Sequence, residues 1–409
     1  MEKINTLNSF QYLWAYSVSI YALLIANISW GWSIPQGMLI AYIGIISLLK
    51  LTSGSLWLPR KTAVLILILM VYVLLNIFVW ENGQFIKMVT YTIYLMLMSA
   101  ILLSSKEEKE LLLDSINNCF IVILLISVPA WILFLMGFPF SHSGEIRPDD
   151  FHVLYDYKFF LVSVNSSSIF PRFQSVFTEP GQFATPCAFL YFLNGANFSR
   201  KNILLIIGIL LSFSLVSYGL LIAAFISSRM FQSQKYRFLK TMLSVAVVAG
   251  ISFYFANSEN EDDPVTALIV NRLQYDEEKG ISGYNRTGSY FDSKYEQLKT
   301  SEDWYWGIQD ELKEGEDWTY NASGYKKAIV HRGIIGFGFT ILIIFLLFYY
   351  NRNLATFSFF MIVLTAYLVR DLVMSALWLS ISIVGFYLLK ELDEQETDEL
   401  ETSELEIVE

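Results

Sequence analysis

Ile203 to Arg229 reads ILLIIGILLSFSLVSYGLLIAAFISSR, and whether it crosses a membrane once or twice decides the fold of the whole chain. About 20 apolar residues at a rise of ~1.5 Å span the hydrocarbon core. The stretch therefore reads either as one long helix or as two short spans parted near Ser212 to Gly219. Basic residues along the chain choose between these. Lys3, Arg60, Lys61, Lys106, Lys109, Arg200, Lys201, Arg229, Lys235, Arg237, Lys240, Arg352 and Lys390 fall on one set of loops, while the short loops of the other set hold almost only Lys87. Cytoplasmic loops carry the excess of Lys and Arg. Alternation works along the whole chain only if Ile203 to Arg229 crosses twice.

The same reasoning extends outward. The chain has 409 residues, of which 55% are hydrophobic, and a mean hydropathy of +0.47. Repeated runs of about 18 or more apolar residues read as transmembrane helices. Such helices satisfy their own backbone groups and can share a bilayer. Twelve spans are expected, near 11–29, 35–52, 62–80, 86–104, 112–136, 182–196, 203–213, 215–229, 238–256, 328–350, 354–370 and 374–390. The expected fold class is all-α, a single polytopic membrane domain over 1–390 with both termini cytoplasmic. Its two long extracytoplasmic loops fall at 137–181 and 257–327. The acidic stretch 391–409 reads as a disordered, solvated tail and supplies part of the net charge of −10. No cleavable signal peptide is expected, because residues 1–10 lead straight into a span too long for a signal h-region. Cys119 and Cys187 both fall in apolar helices and read as packing thiols. His142, His152 and His331 show no ligand spacing, so no metal site is expected.

Against this apolar background one polar segment stands out: Arg172-Phe173-Gln174-Ser175-Val176-Phe177-Thr178-Glu179-Pro180-Gly181-Gln182-Phe183-Ala184. It lies where the first long loop enters the sixth expected span. Pro180 suits the first turn of a helix, which places Glu179 at a helix N-terminus near the outer membrane surface. There it reads either as a general base or as a carboxylate that complements the helix dipole. His331 is a second candidate base, with a structural role at the head of its span as the alternative.

The second long loop carries Tyr275, Tyr284, Tyr290, Phe291, Tyr295, Trp304, Tyr305, Trp306, Trp318, Tyr320 and Tyr325 among Asp, Glu, Lys and Arg. Residues 287–299 fit an amphipathic helix. Aromatic rings with polar tips stack on sugar faces, and they also enrich at membrane interfaces. Tyr284, Tyr290, Trp304, Trp306 and Tyr325 are the candidate glycan contacts.

Several cations sit on, or at the edge of, the outer half: Arg172, Arg286, Arg332 and the pair Arg370-Asp371. An Arg within a span costs roughly 2.5–3.5 kcal/mol at the centre and less near the interface. Several on one side point to an anion, and the planar guanidinium suits a diphosphate. For Arg332 the alternative is snorkelling to the headgroups. For Arg370-Asp371 it is a structural ion pair at a helix end. Gly333-Ile334-Ile335-Gly336-Phe337-Gly338 reads as tight helix packing.

In order and sidedness these elements resemble the bacterial O-antigen polymerases, within the O-antigen ligase/polymerase superfamily. The resemblance rests on the Arg-aromatic-x-Ser-x-Phe-x-Glu-Pro segment Arg172 to Pro180, Ser214-Leu215-Val216-Ser217, Arg286 early in the second loop, Tyr325, and the Gly333 to Gly336 helix start. It covers roughly 165–375. Ligases carry a His-Asn pair shortly before the corresponding Tyr. Here those positions read Ala322-Ser323, so the ligase reading is the weaker one.

The resemblance implies a GT-C-like, metal-independent, inverting glycosyltransferase of the bacterial inner membrane that needs no cofactor. Donor and acceptor would both be oligosaccharides on undecaprenyl diphosphate. Arg172 and Arg286 would hold the diphosphate, with Arg332 and Arg370 as further substrate contacts, and the acceptor would be served by Glu179, by His331 or by no protein base at all. Membrane lipids and a chain-length regulator are the other partners it implies, and nucleic acid is not among them. A flippase or other transporter is the reading from another class. It calls for paired broken helices and midplane polar residues.

Overall fold

The computed structural model describes residues 7–26, 28–53, 58–81, 83–146, 153–163, 171–231, 275–276, 280–281, 289–308, 324–370, 372 and 374–390. The chain is predominantly helical. The first half holds α1 (Ser9–Leu24), α2 (Ser29–Trp32), α3 (Gln36–Ser53), α4 (Arg60–Leu75, continued as a π-turn Asn76–Trp80), α5 (Phe85–Leu103) and α6 (Lys106–Leu135). Then come α7 (Pro180–Leu193), α8 (Arg200–Leu211), α9 (Leu215–Phe231), α10 (Ser289–Leu298), α11 (Asp303–Trp306), α12 (Tyr325–Tyr350), α13 (Leu354–Val369) and α14 (Ala376–Lys390). Helix appears at eleven of the twelve expected spans, and the ninth, 238–256, lies outside the described residues. Several starts are fixed locally. Asn8 with Gln11, Ser105 with Glu108 and Asn353 with Thr356 form reciprocal capping boxes, which satisfy amides the first turn leaves without partners.

Five described helices are long and apolar enough to cross a membrane: α3, α4 with its π-turn, α5, α6 and α12. Contacts sort the helix ends into two layers. In one, Gln11, Lys50 and Glu108 meet, Lys109 lies 4.5 Å from the Tyr387 ring centroid, and Asn353 Nδ2 donates to the Leu389 carbonyl. In the other, Ile28 bridges Phe177, Trp80 Nε1 donates to the Trp306 carbonyl at 2.6 Å, and the Tyr94 hydroxyl donates to the Met374 carbonyl at 2.7 Å.

Ile203 to Arg229 is two helices. The chain turns at Ser212–Ser214, where Phe213 takes φ 48°. α9 then runs beside α7, with Thr185 and Ser217 hydroxyls 3.4 Å apart. α7 is buried on every side from Gly181 to Phe192 except at half-exposed Gln182. This all-round burial makes it the central helix of the bundle. With 14 and 12 residues, α7 and α8 cover only about 21 and 18 Å, short of the ~30 Å hydrocarbon core. The sixth and seventh expected spans are therefore among the shortest of the apolar helices. At the end of α7, Asn117 and Asn202 each bond to Asn194.

Two features depart from a purely helical reading. The first long loop folds into an antiparallel sheet, β1 (Glu145–Ile146), β2 (Leu154–Asp156) and β3 (Leu161–Ser163), with Tyr155 opposite Val162. Tyr157 and Phe160 stack on each other and pack against Phe134 at the end of α6. A two-stranded pair, β4 (Tyr275–Asp276) and β5 (Gly280–Ile281), lies in the second long loop. The amphipathic helix expected at 287–299 appears as α10.

Gly333 corrects the packing reading of the glycine-rich start. It adopts φ 64°, ψ 180° and breaks α12. A Cβ there would strike the backbone of Tyr305 and Trp306, so α11 is lodged against the break. Gly336 does serve close packing, against Trp80 and the Arg332 Cβ, while Gly338 faces open space.

Candidate functional site

Pro180 opens α7, where its missing N–H costs nothing. Glu179 takes the N-cap position with extended backbone, and its side chain makes no bond to the helix's own amides. The carboxylate instead meets Arg370, whose Nη1 donates to Oε2 at 2.5 Å. Arg370 is the C-cap of α13, so the pair ties the end of one helix to the start of the central one. The Arg370 side chain is only 11% exposed, and that of Glu179 is 43% exposed. Gly181 makes room for this arrangement, since a Cβ there would fall on the Arg370 guanidinium. The Arg370 Nε is buried without a hydrogen-bond partner, an expensive condition for a charged donor.

The segment before Glu179 is a rigid mount. Phe173, Phe177 and Phe183 are buried and pack on one another, on Phe120 and on Trp131. Ser175 holds a left-handed φ of 54°, which costs roughly 1–2 kcal/mol for a residue with a Cβ. Its surroundings hold it there: Ser175 Oγ donates to Ser127 Oγ at 2.9 Å, and its carbonyl accepts from Leu161 N at 2.7 Å.

Arg172 faces a different element. Its Nε and Nη2 donate to the carbonyls of Ser212 and Phe213 at 3.2 and 2.9 Å. These carbonyls form the turn that ends α8, and a guanidinium fork satisfies both. Arg172 and Glu179, the two ends of the motif, thus engage separate partners. Ser214 and Ser217 bond to each other just beyond this turn.

Between α9 and α13 runs an apolar groove of about 430 Å³. Val216, Gly219 and Leu220 line one wall, and Met361, Thr365 and Val369 the other. Its end at Val216 and Val369 lies next in sequence to the elements that carry Arg172's acceptors and Arg370.

Other candidates lie around the broken helix. His331 and Arg332 are half-buried immediately before Gly333, and Arg332 acts electrostatically on the hydroxyls of Tyr91 and Tyr94. Tyr91 also donates to Glu81, which Lys87 pairs at 3.2 Å. Trp304 packs edge-on against Tyr295, and Tyr325 against Phe337, in a small separate core with Phe291 and Val330. Trp306 stays 43% exposed. Of the candidate glycan contacts that are described, Trp306 offers the most open ring. Arg286, Tyr284 and Asp371 lie outside the described residues, as does the Tyr290 side chain.

The structure brings together Glu179 and Arg370, 191 residues apart in sequence. The sequence reading named both but gave Arg370 its neighbour Asp371 as the structural partner. It missed Gly181, whose only signal was a glycine directly after Glu-Pro. No protein-family model matches the chain, and no curated protein matches it.

Proposed function

We propose that the chain is a membrane glycosyltransferase that polymerises a surface polysaccharide at the outer face of the bacterial inner membrane. Its architecture would be the twelve-span, GT-C-like one. The donor is a glycan on undecaprenyl diphosphate, and the acceptor is the sugar end of another lipid-linked repeat unit. The observation that carries this reading is the Glu179–Arg370 pair at the head of the buried helix α7, beside an apolar groove. A carboxylate and a guanidinium at such a boundary supply the two polar functions the reaction needs, and the groove has the chemistry of a prenyl chain.

In this reading the acceptor hydroxyl oxygen attacks the anomeric carbon of the donor. The bond from that carbon to the diphosphate oxygen breaks, and the diphosphate leaves with the electron pair. Glu179 orients the hydroxyl and takes its proton. Guanidinium groups stabilise the charge that develops on the leaving oxygen, an effect typically worth about 3–4 kcal/mol per donor. Holding two bulky lipid-linked sugars in line supplies much of the remaining rate.

A second reading, a flippase, draws on the break at Gly333, since transporters use interrupted helices. That break is filled by the backbone of Tyr305 and Trp306, which is the packing of an anchored loop and not of a site lining a path.

Deleting the gene tests these readings together. Loss of a polymerase leaves surface glycan capped by single repeat units. Loss of a ligase leaves none attached, and loss of a flippase leaves lipid-linked units on the cytoplasmic side. The polymerase reading is overturned by either of the last two outcomes, and also by full-length chains from a Glu179→Gln variant expressed at normal level.

A further inference from the structure

We infer that α1, α6 and the turn between β2 and β3 form a second site for a polyprenyl-diphosphate-linked saccharide. An apolar groove takes the tail, Lys158 the diphosphate, and the rings of His142, Tyr155 and Tyr157 the sugars. The inference rests on the proposed joining of two lipid-linked saccharides. That reaction brings two prenyl chains to one protein, and the groove between α9 and α13 is a single channel.

A second apolar groove, of about 290 Å³, lies between α1 and α6. Tyr16, Ile20 and Leu24 of α1 line one wall, Cys119 and Val122 of α6 the other, and Trp30 of α2 joins them. Tyr16, Ile20 and Val122 are exposed, so the groove opens sideways, where hydrocarbon enters from a bilayer.

One end of this groove touches the first long loop. Trp30 Nε1 donates to the Lys158 carbonyl at 2.5 Å. Lys158 takes φ 67°, a left-handed conformation that a residue with a Cβ adopts only at a cost. Asp156 Oδ1 holds it there by accepting from Lys158 N at 2.6 Å. The Lys158 side chain is exposed, and among the described residues its ammonium has neither an ion pair nor a hydrogen bond. An ammonium is a compact point charge that binds phosphate without demanding one geometry.

Tyr157, next in the chain, belongs to a cluster of rings. The His142 ring lies 4.8 Å from that of Tyr155 and 6.0 Å from that of Tyr157, between centroids. Among the described residues, no imidazole nitrogen or hydroxyl of these three side chains has a hydrogen-bond partner. Burial, and then the neighbouring Tyr155 hydroxyl, push the Tyr157 hydroxyl's pKa up, which keeps it a neutral donor. Such rings offer both an apolar surface and unused polar tips, the two things the C–H face and the hydroxyls of a sugar require. Aromatic residues also gather at membrane interfaces, but Glu145 stands directly opposite Tyr155 across the strands and is exposed. A carboxylate on that face belongs in water.

Groove, cation and rings thus follow one another in the order of tail, diphosphate and sugar. A phospholipid would use the first two and leave the rings idle. The site also stands on the same mount as Glu179. Ser29 N donates to the Val176 carbonyl at 2.9 Å and Leu161 N to the Ser175 carbonyl at 2.7 Å, which fastens α2 and β3 to the segment that ends at Glu179.

Full-length protein in detergent micelles provides the test. The probe is geranylgeranyl diphosphate with a diazirine in its tail, and cross-linked peptides are mapped by mass spectrometry. Adducts are expected on residues 16–30 or 118–123, in addition to any on α9 and α13. Geranylgeranyl diphosphate that carries N-acetylglucosamine should suppress them at about one third of the concentration needed with the plain diphosphate. Lys158→Gln should reduce them on the order of tenfold and Lys158→Arg should retain most, with adducts on α9 and α13 unchanged in both. His142→Ala combined with Tyr155→Ala should abolish the advantage of the sugar-bearing competitor and leave labelling by the probe intact. The inference is overturned, without any variant, if α1 and α6 carry no adducts or if the two diphosphates compete equally. It is also overturned if dimyristoyl phosphatidylglycerol competes as well as geranylgeranyl diphosphate, which marks an ordinary lipid groove, or if Lys158→Gln labels like the unaltered protein. Gene deletion reports on the polymerase reading separately. A single-unit phenotype without adducts on α1 and α6 would sink this inference alone, while adducts in both grooves with a ligase or flippase phenotype would sink the polymerase reading alone.

Discussion

Gly181 lies directly against the guanidinium of Arg370, leaving no room for a Cβ between the first turn of α7 and the side chain that pairs with Glu179. A methyl group at this position must push Arg370 away. Gly181→Ala is therefore expected to break the ion pair without removing either charged group. Misplacement of this kind by about 1 Å can cost on the order of a hundredfold in rate. Glycan ladders from cells that carry the variant at normal membrane levels should shorten to single or few repeat units. Unaltered ladders would mean that the close approach of residues 181 and 370 has no functional weight.

Arg172 is expected to behave as a stability residue. It closes the Ser212–Phe213 turn with two bonds, and hydrogen bonds from a charged donor contribute about 1.5–3 kcal/mol. Arg172→Ala should lower the melting temperature of the purified protein. An Arg172→Ala protein that melts normally but no longer binds a prenyl diphosphate would return Arg172 to the diphosphate role its sequence position implies.

These two residues show what the sequence does and does not carry. Apolar run length makes the helices legible, and Ile203 to Arg229, expected to cross twice, is indeed two helices, α8 and α9. Glu-Pro-Gly marks the start of α7, because proline belongs in a first turn. Run length says nothing, however, about α7 being buried on all sides, and a short core helix looks like a short span. The partner of Glu179 is illegible for a different reason. Arg370 is 191 positions away, and only the packing of α13 beside α7 brings the two together. The break at Gly333 is hidden as well, since a glycine in an apolar run reads as packing until a loop backbone is seen pressed against it.

Gly333 leads to a third expectation. Its φ of 64° and its contact with the backbone of Tyr305 and Trp306 both exclude a side chain. Gly333→Ala should cost about 1–3 kcal/mol from backbone strain and should also release α11. Limited proteolysis should then cut near residues 303–306 at lower protease concentration than in the unaltered protein. Trp80→Phe, which removes the donor to the Trp306 carbonyl, should shift the cleavage in the same direction by a smaller amount, about 0.5–1.5 kcal/mol. Equal protection in all three proteins would show that α11 is not held by the break.

The opposite layer offers a control far from the site. Lys50 and Glu108 form an ion pair whose side chains are 13% and 4% exposed. Glu108 also accepts from Gln11 Nε2 at 2.7 Å and from Ser105 N at 2.9 Å, so its charge is fully engaged. Removing one member of a buried pair strands the other, at a cost of about 3–5 kcal/mol. Replacing both by apolar groups removes the desolvation penalty along with the attraction and can come out near neutral. Glu108→Leu alone should therefore lower the melting temperature strongly, and adding Lys50→Met should restore much of the loss. The lost bond from Gln11 and the lost cap at Ser105 keep the double variant below the unaltered protein by about 1–2 kcal/mol. If the double variant is no more stable than Glu108→Leu, the capping and Gln11 contacts outweigh the ion pair at this corner. In either case prenyl diphosphate affinity should stay unchanged, because this corner lies in the layer opposite Arg370.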